Sequence, residues 1–216
     1  MIAIITYDRP HRKTQDLLIR LIDHEVIVIA TPFKKRTQHH SLYQHRPPMD
    51  TGISTEKLCN KFGFDYINHL HPAEWIRKNN ISSAIIGGAN ILETDQDLKI
   101  INSHPGYLPY GRGLDALKWS IYEGYPIGVT THVINDDIDS GYLIEQKIVP
   151  VSYYDTFHSV AYRQYQMEID MLIKAIDAPV VEKIRTDIGE IHHRMPMKLE
   201  PIMMERFNRL RQVKSI

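Results

Sequence analysis

Residues 99–113 read KIINSHPGYLPYGRG. An apolar strand over 99–102 runs straight into the polar pair Asn102 and His104 and then into Pro105. Proline has no backbone N–H to give a sheet and holds the residue before it in extended backbone, so the strand ends with His104 held out beyond it. Residues i and i+2 of an extended segment point the same way, which lets Asn102 and His104 converge. Open α/β sheets bind ligands at this carboxyl end of their strands. Gly106, Pro109, Gly111 and Gly113 follow as a turn that would bring backbone amides up to a flat or anionic ligand.

Outward from this stretch, short β-branched runs alternate with segments of helical period, the pattern of a parallel sheet covered by helices on both faces. Strands are expected at 2–6, 25–30, 64–67, 83–88 and 99–102, and helices at 12–23, 54–62, 72–79 and 114–123. Residues 127–134 and 142–149 read as a hairpin pair, followed by a long amphipathic helix over 155–177. Residues 31–53 turn polar and basic and read as an excursion over the surface. The last forty residues are less regular, with an apolar helical face at Ile202, Met203, Phe207 and Leu210. The expectation is an α/β chain with a doubly wound, mainly parallel twisted sheet, a β-hairpin and a helical tail. Residues 1–177 are expected to form the main domain, and 178–216 an extension packing on that domain or on a homodimer partner.

The 216 residues are 43% apolar, enough for one substantial core. Lys plus Arg (26) balances Asp plus Glu (26), so no overall field gathers nucleic acid or an anionic membrane. Cys59 is the single cysteine and a reducing, cytoplasmic setting fits. The opening run IAII is too short for a membrane span or a signal segment and reads as a first strand.

A second polar turn, Asn135-Asp-Asp-Ile-Asp-Ser-Gly141, follows the apolar run VTTHVI. Alone it is a solvated hairpin turn, as His104-Pro105 alone is a turn. Together they offer a carboxylate, Asp139, beside an imidazole and a carboxamide. That set suits acyl transfer, in which one group handles a proton and donors stabilise an oxyanion. Twelve histidines raise the rival of a metal hydrolase, but the pairs His39-His40, His69-x-His71 and His192-His193 lack ligand spacing, and no metal is expected.

The block Ile101–Gln146 resembles the signature of the folate-dependent formyltransferases, the group that includes glycinamide ribonucleotide transformylase, methionyl-tRNA formyltransferase and the sugar-nucleotide N-formyltransferases. The matching residues are Asn102, His104, Pro105, Leu108, Pro109, Arg112, Gly113, Asp139 and Gly141. The resemblance implies a formyltransferase, Rossmann-like fold. It implies Asn102, His104 and Asp139 as the catalytic set and N10-formyltetrahydrofolate as co-substrate, bound near Ile91, Leu92, Leu108, Ile134, Asn135, Asp136 and Asp137. His132 matches a family histidine just before the acidic turn, with a supporting role.

For the acceptor, the family's purine enzyme carries a Gly-Ser-rich phosphate loop after its first strand, whereas this chain has bulky Tyr7-Asp8-Arg9-Pro10-His11-Arg12-Lys13. Transfer RNA does not suit a neutral chain. There remains a 4-amino-4,6-dideoxy sugar on a nucleotide carrier, as in surface-glycan or pseudaminic acid synthesis. Its contacts are assigned to Tyr7, Arg9, His11, Arg12, Lys13, Tyr107, Arg112 and Gly113, with further cations from the loop Lys34 to Arg46. The competing readings are a glycinamide ribonucleotide or methionyl-tRNA formyltransferase-like enzyme, a formyltetrahydrofolate hydrolase, and a folate-binding or nucleotide-binding module without turnover.

Overall fold

The computed structural model describes residues 1–34, 39–90, 92 and 98–213. Its elements run β1 (Ile2–Tyr7), α1 (Arg12–Arg20), β2 (Val26–Thr31), α2 (Thr55–Phe62), β3 (Asp65–Asn68), α3 (Pro72–Lys78), β4 (Ser83–Ile86), β5 (Lys99–His104), β6 (Arg112–Gly113), α4 (Ala116–Glu123), β7 (Gly128–Val133), β8 (Tyr142–Ile148), α5 (Phe157–Lys174), β9 (Glu182–Lys183), β10 (Ile191–His192) and α6 (Glu200–Val213). The main sheet has the order β3-β2-β1-β4-β5-β7-β8-β9. Its first five strands are parallel, and β7, β8 and β9 join antiparallel. This is the doubly wound arrangement and the hairpin that the alternating pattern implies.

The strands β1 and β2 are almost wholly buried because each side of the sheet is covered. On one side, Ile4, Val28, Leu17, Leu18, Tyr165 and Ile169 join β1 and β2 to α1 and α5. On the other, Ile5, Ile29, Ile76 and Ile100 pack the strands against α3, with Leu92 and Ile134 at the margin. The chain leaves β1 toward β2 on one flank and returns to β4 on the other, so a crevice opens above the β1/β4 junction. The backbone N–H groups of Gly87 and Gly88 both turn back to the Ile5 carbonyl there (2.9 and 3.2 Å). A Cβ on Gly88 would stand 2.6 Å from His11 and 2.8 Å from Tyr7, so those rings lie directly on the glycine.

Helix ends follow local chemistry. Ser54 caps α2 by accepting the Lys57 N–H, and Gly63 closes it in the left-handed conformation. Thr156 and Ser159 cap α5 reciprocally. The helix expected from 114 begins at Ala116 instead, because Leu114 donates its N–H to the His192 carbonyl and Asp115 takes a left-handed φ of 55°. No described helix is long and apolar enough to cross a membrane.

Two segments depart from the reading of the sequence. The final stretch is more regular than expected, since α6 is a full helix with Met203 and Phe207 buried against Leu117, Phe157 and Val160. Ile202, assigned to its apolar face, is instead 42% exposed. The described part of the loop after β2 also turns inward. Glu200, fully buried, receives the backbone N–H groups of Leu42 (2.7 Å) and Tyr43 (2.9 Å), the Ser41 hydroxyl (2.9 Å) and the Lys118 ammonium (2.8 Å). A polar loop is thereby fastened through the first residue of α6 to α4.

Removing one partner of a buried ion pair strands the other, which typically costs about 3–5 kcal/mol. Glu200→Ala is therefore expected to lower unfolding free energy by about that much in chemical denaturation, while Lys118→Met with Glu200→Leu recovers most of it. A loss below about 1 kcal/mol would show that the pair does not hold the loop.

Candidate active site

Asn102 and His104 leave the end of β5 on the same side, as their spacing requires. Opposite them β7 places His132 beside Asn102 and Thr130 beside His104 in the antiparallel register. Pro105 then ends the pairing, and its carbonyl accepts the Gln164 amide of α5 at 2.9 Å. The acidic turn that follows β7 is folded on itself. The Asn135 carboxamide oxygen takes the Asp137 N–H and the Ser140 hydroxyl, and Gly141 sits at φ 99°, where a Cβ would meet the Val133 carbonyl at 2.1 Å. The turn carries Asp139, itself at a left-handed φ of 45°, onto His104.

Asp139 Oδ1 lies 3.1 Å from His104 Nδ1, and its Oδ2 receives the Gly113 backbone N–H at 2.7 Å. The His104 Nε2–H points at the Gly111 carbonyl. Burial opposes charge on this imidazole, but the Asp139 carboxylate and the two hydrogen bonds outweigh it, so the pKa is raised. Asp139 is correspondingly held below its ordinary value: burial works against the carboxylate, and the His104 charge and hydrogen bonds win. Proton balance and geometry therefore agree on an imidazolium-carboxylate pair. Among the described residues, none hydrogen-bonds the Asn102 carboxamide, which leaves its amide N–H groups for a ligand.

His132 is a contrasting case. It is buried, its Nδ1–H donates to the Ser140 carbonyl at 2.6 Å, and its Nε2 has no partner among the described residues. Burial drives its pKa down to about 4, with the neighbouring His104 charge adding to the shift and Asp139 opposing it. It is a neutral ring with an open acceptor.

These groups border a cavity of about 620 Å³ over the carboxyl ends of β1, β4 and β5. Toward the α3 side it is lined by Leu92, Ile134 and the turn Asn135 to Asp137. Toward α1 and α5 it meets a cluster of charges. Glu168, 2% exposed, receives Lys13 Nζ at 2.7 Å and Arg46 Nη1 at 2.5 Å. Lys13 also reaches the Ser103 carbonyl at 3.4 Å. Two cations on one carboxylate leave a local excess of one positive charge. His11 and His45 do not add to it, because burial first and nearby cations second lower their pKa values to about 4 and about 3.

Of the residues singled out in the sequence, Asn102, His104, Asp139, Leu92, Ile134, Asn135, Asp136, Asp137, Tyr7, His11, Lys13 and Gly113 all line this cavity. Several do not. Leu108 is 2% exposed, with its N–H on the Thr130 hydroxyl and its carbonyl on Gln146, so it is spent on the core. Tyr107 lies over Gly128. Arg112 is buried and gives Nε and Nη2 to the Ile138 carbonyl (3.2 and 2.7 Å), bracing the acidic turn from outside. Arg9 covers the Phe33 ring near Asp50, and Arg12 borders a separate cleft with Asp16 and Tyr165. Ile91 and part of the Lys34 to Arg46 loop lie outside the described residues. The described residues contain no cluster with the makings of a metal site.

Sequence reasoning missed Glu168 and the tail residues 191–194, which also border the cavity. Glu168 was findable. It shares the buried stripe of α5 with Val160, Ala161, Gln164 and Tyr165, and a carboxylate there needs a charged partner.

The His104 charge is present below its raised pKa and lost as pH rises through it. Asp139→Asn removes the dominant support, so the His104 imidazole followed by NMR is expected to titrate above its ordinary value in the wild type and at a lower pH in the variant. A coincident titration would break the pair as described.

Residues 83–176 match the family model described as formyl transferase. A dTDP-4-amino-4,6-dideoxyglucose formyltransferase of Mycobacterium tuberculosis is 35% identical over 81 residues, 38% of this chain and 35% of that protein. The matched stretch thus spans about a third of the curated relative's length. Among solved structures, a sugar N-formyltransferase from a Shewanella species superposes with a TM-score of 0.62 at 20% identity over 95% of this chain and 87% of that one. A sugar 3N-formyl transferase solved in the presence of dTDP and 5-N-formyl-THF gives 0.58 at 15% identity over 96% and 78%. At such identities the structures establish a shared fold. Residues 83–176, the stretch holding Asn102, His104 and Asp139, thus match the formyl transferase model, and the chain shares the fold of the solved sugar N-formyltransferase.

Proposed function

We propose that the chain is an N-formyltransferase moving a formyl group from N10-formyltetrahydrofolate to the amine of a nucleotide-linked 4-amino-4,6-dideoxy sugar, of the kind consumed in surface-glycan and pseudaminic acid synthesis. The observation that carries the reaction is the buried His104–Asp139 pair beside Asn102 in the wall of a cavity of about 620 Å³.

In this reading the acceptor amine attacks the formyl carbon, and the carbonyl electrons move onto oxygen. The Asn102 amide and the His104 imidazolium meet that oxyanion. Of the two imidazole protons, Nδ1–H is committed to Asp139, so it is Nε2–H that turns from the Gly111 carbonyl to the formyl oxygen. Collapse restores the carbonyl, breaks the bond to N10 and sends the amine proton to that nitrogen. Asp139 and water carry the proton, with the open acceptor of His132 beside them. Each oxyanion donor is typically worth about 3 kcal/mol.

The donor is assigned to the apolar side by Leu92 and Ile134, with a flat pterin meeting the backbone of the 135–137 turn. The acceptor is assigned to the α1 and α5 side, where Lys13 and Arg46 supply the net positive charge a diphosphate needs. The names of the similar proteins support a sugar nucleotide. Bulky Tyr7 and His11, packed on Gly88, stand where an amide-lined phosphate loop would have to be open.

Incubation with 10-formyltetrahydrofolate and a panel of amino-sugar nucleotides is expected to add the mass of one carbonyl to a single amine, read by mass spectrometry. Asn102→Ala and His104→Ala are expected to lower turnover by about 10²–10³-fold each. Formylation of a different amine would replace the acceptor and keep the chemistry. Full turnover in both variants would end the mechanism.

A further inference from the structure

The tail borders the cavity without a place in the mechanism, and its contacts form a continuous path to the catalytic carboxylate. We infer that the segment Ile191–Met195 is a positioning element that holds Asp139 on His104 through the strand Arg112–Gly113. This rests on the proposed roles of those two residues.

The path can be followed bond by bond. β10 pairs with β6, placing Ile191 beside Arg112 and His192 beside Gly113, and Leu114 N–H closes the ladder on the His192 carbonyl at 2.8 Å. The approach is too close for any side chain: a Cβ on Gly113 would lie 2.2 Å from the His192 carbonyl oxygen, and its φ is 88°. From its other edge the same short strand grips the acidic turn. Gly113 N–H binds Asp139 Oδ2, and the Arg112 guanidinium binds the carbonyl of Ile138, one residue earlier. Arg112 and Gly113 therefore lie between the tail and the catalytic turn and touch both.

The tail is in turn fastened by groups that the reaction leaves unused. Arg194 Nη1 lies 3.0 Å from Asp115 Oδ1, and the Met195 N–H reaches Oδ2 at 3.1 Å. Asp115 is 8% exposed and sits in a left-handed conformation at the start of α4, a costly arrangement that its two tail partners stabilise. The Trp119 indole stacks on His192 with ring centres 4.4 Å apart and planes 11° apart, and its N–H donates to the His193 carbonyl at 2.8 Å. His192 also lies 3.3 Å from Glu123. Gly189 passes over the Pro109 carbonyl closely enough that a Cβ would stand at 2.1 Å.

The physical reason such bracing is needed lies in the sequence Tyr110-Gly-Arg-Gly113. A strand with glycine on each side of Arg112 has wide conformational freedom, and a single N–H can hold a carboxylate only while the strand carrying it is fixed. Once the tail is released, Gly113 is free to leave Asp139, and the carboxylate then turns from the imidazole. His132 and Glu168, the other titratable groups that act on His104, stay where they are.

The test compares the double variant His192→Ala with Arg194→Ala, the single variant Arg194→Lys, and Leu58→Ala as a control in the core cluster that holds no residue of Ile191–Met195. Release of the strand is read from amide exchange at Gly113 and Leu114, and the state of the site from the NMR titration of His104. The double variant is expected to exchange faster at both amides, to titrate His104 at lower pH, and to lose roughly 10- to 100-fold in kcat with the donor KM within about two-fold. Arg194→Lys is expected to recover part of each effect. Leu58→Ala is expected to lose stability with the His104 titration unmoved. Fast exchange at Gly113 with an unchanged His104 titration would overturn the inference, as would an equal shift in the Leu58 control. If the wild type formylated no acceptor, the proposed function would fall, while the exchange and titration measurements would still decide the role of the tail.

Discussion

Everything in the site turns on one carboxylate. Asp139 is mostly buried, which penalises its charge, and it stays ionised because His104 and the Gly113 N–H compensate it from both oxygens. The same contact keeps the imidazole charged in a place where burial alone would strip its proton. Neither group would hold its state without the other. The turn that presents Asp139 is accordingly over-determined, by the Asn135 side chain within it, by Gly141 where only glycine fits, and by Arg112 from outside.

Around that pair the cavity is divided by charge. Near the acidic turn it offers backbone groups and apolar side chains, and near α1 and α5 a carboxylate carrying two cations. Histidine is abundant in the wall, yet three of the rings, His11, His45 and His132, are kept neutral by burial, with nearby cations adding to the shift. Positive charge in the wall therefore falls on His104 beside Asn102 and, away from that pair, on Lys13, Arg46 and Arg194, the last of them paired with Asp115. A ligand with one electrophilic carbonyl and one diphosphate would find a match for each end.

Much of this was legible in the sequence, for reasons that can be named. Strands such as Ile2–Tyr7 and Val26–Thr31 announce themselves because a parallel sheet buried on both faces needs unbroken apolar runs. Asn102 and His104 could be placed because Pro105 ends the strand and residues two apart share a side, whereas Asp139 is assigned through the resemblance to the formyltransferase signature. What could not be read depends on contacts between distant parts of the chain. The loop bearing Leu42 to Arg46 looked like solvated surface, and only the burial of Glu200, far along the chain, draws it inward. The pairing of β6 with β10 involves two residues on each side and leaves no periodicity to detect. Arg112 was assigned to the substrate from its motif, but its guanidinium is taken up by the Ile138 carbonyl.

The central claim is that Asn102 and His104 converge on one oxygen while Asp139 stands behind the imidazole. A crystal structure with 5-formyltetrahydrofolate, which carries a stable formyl group, tests this directly. The account predicts the formyl oxygen within hydrogen-bond distance of the Asn102 amide or His104 Nε2, with Asp139 still on Nδ1 and the pterin against Leu92 and the 135–137 turn. A folate bound elsewhere, or one seated there with its formyl group facing away from both donors, would contradict it.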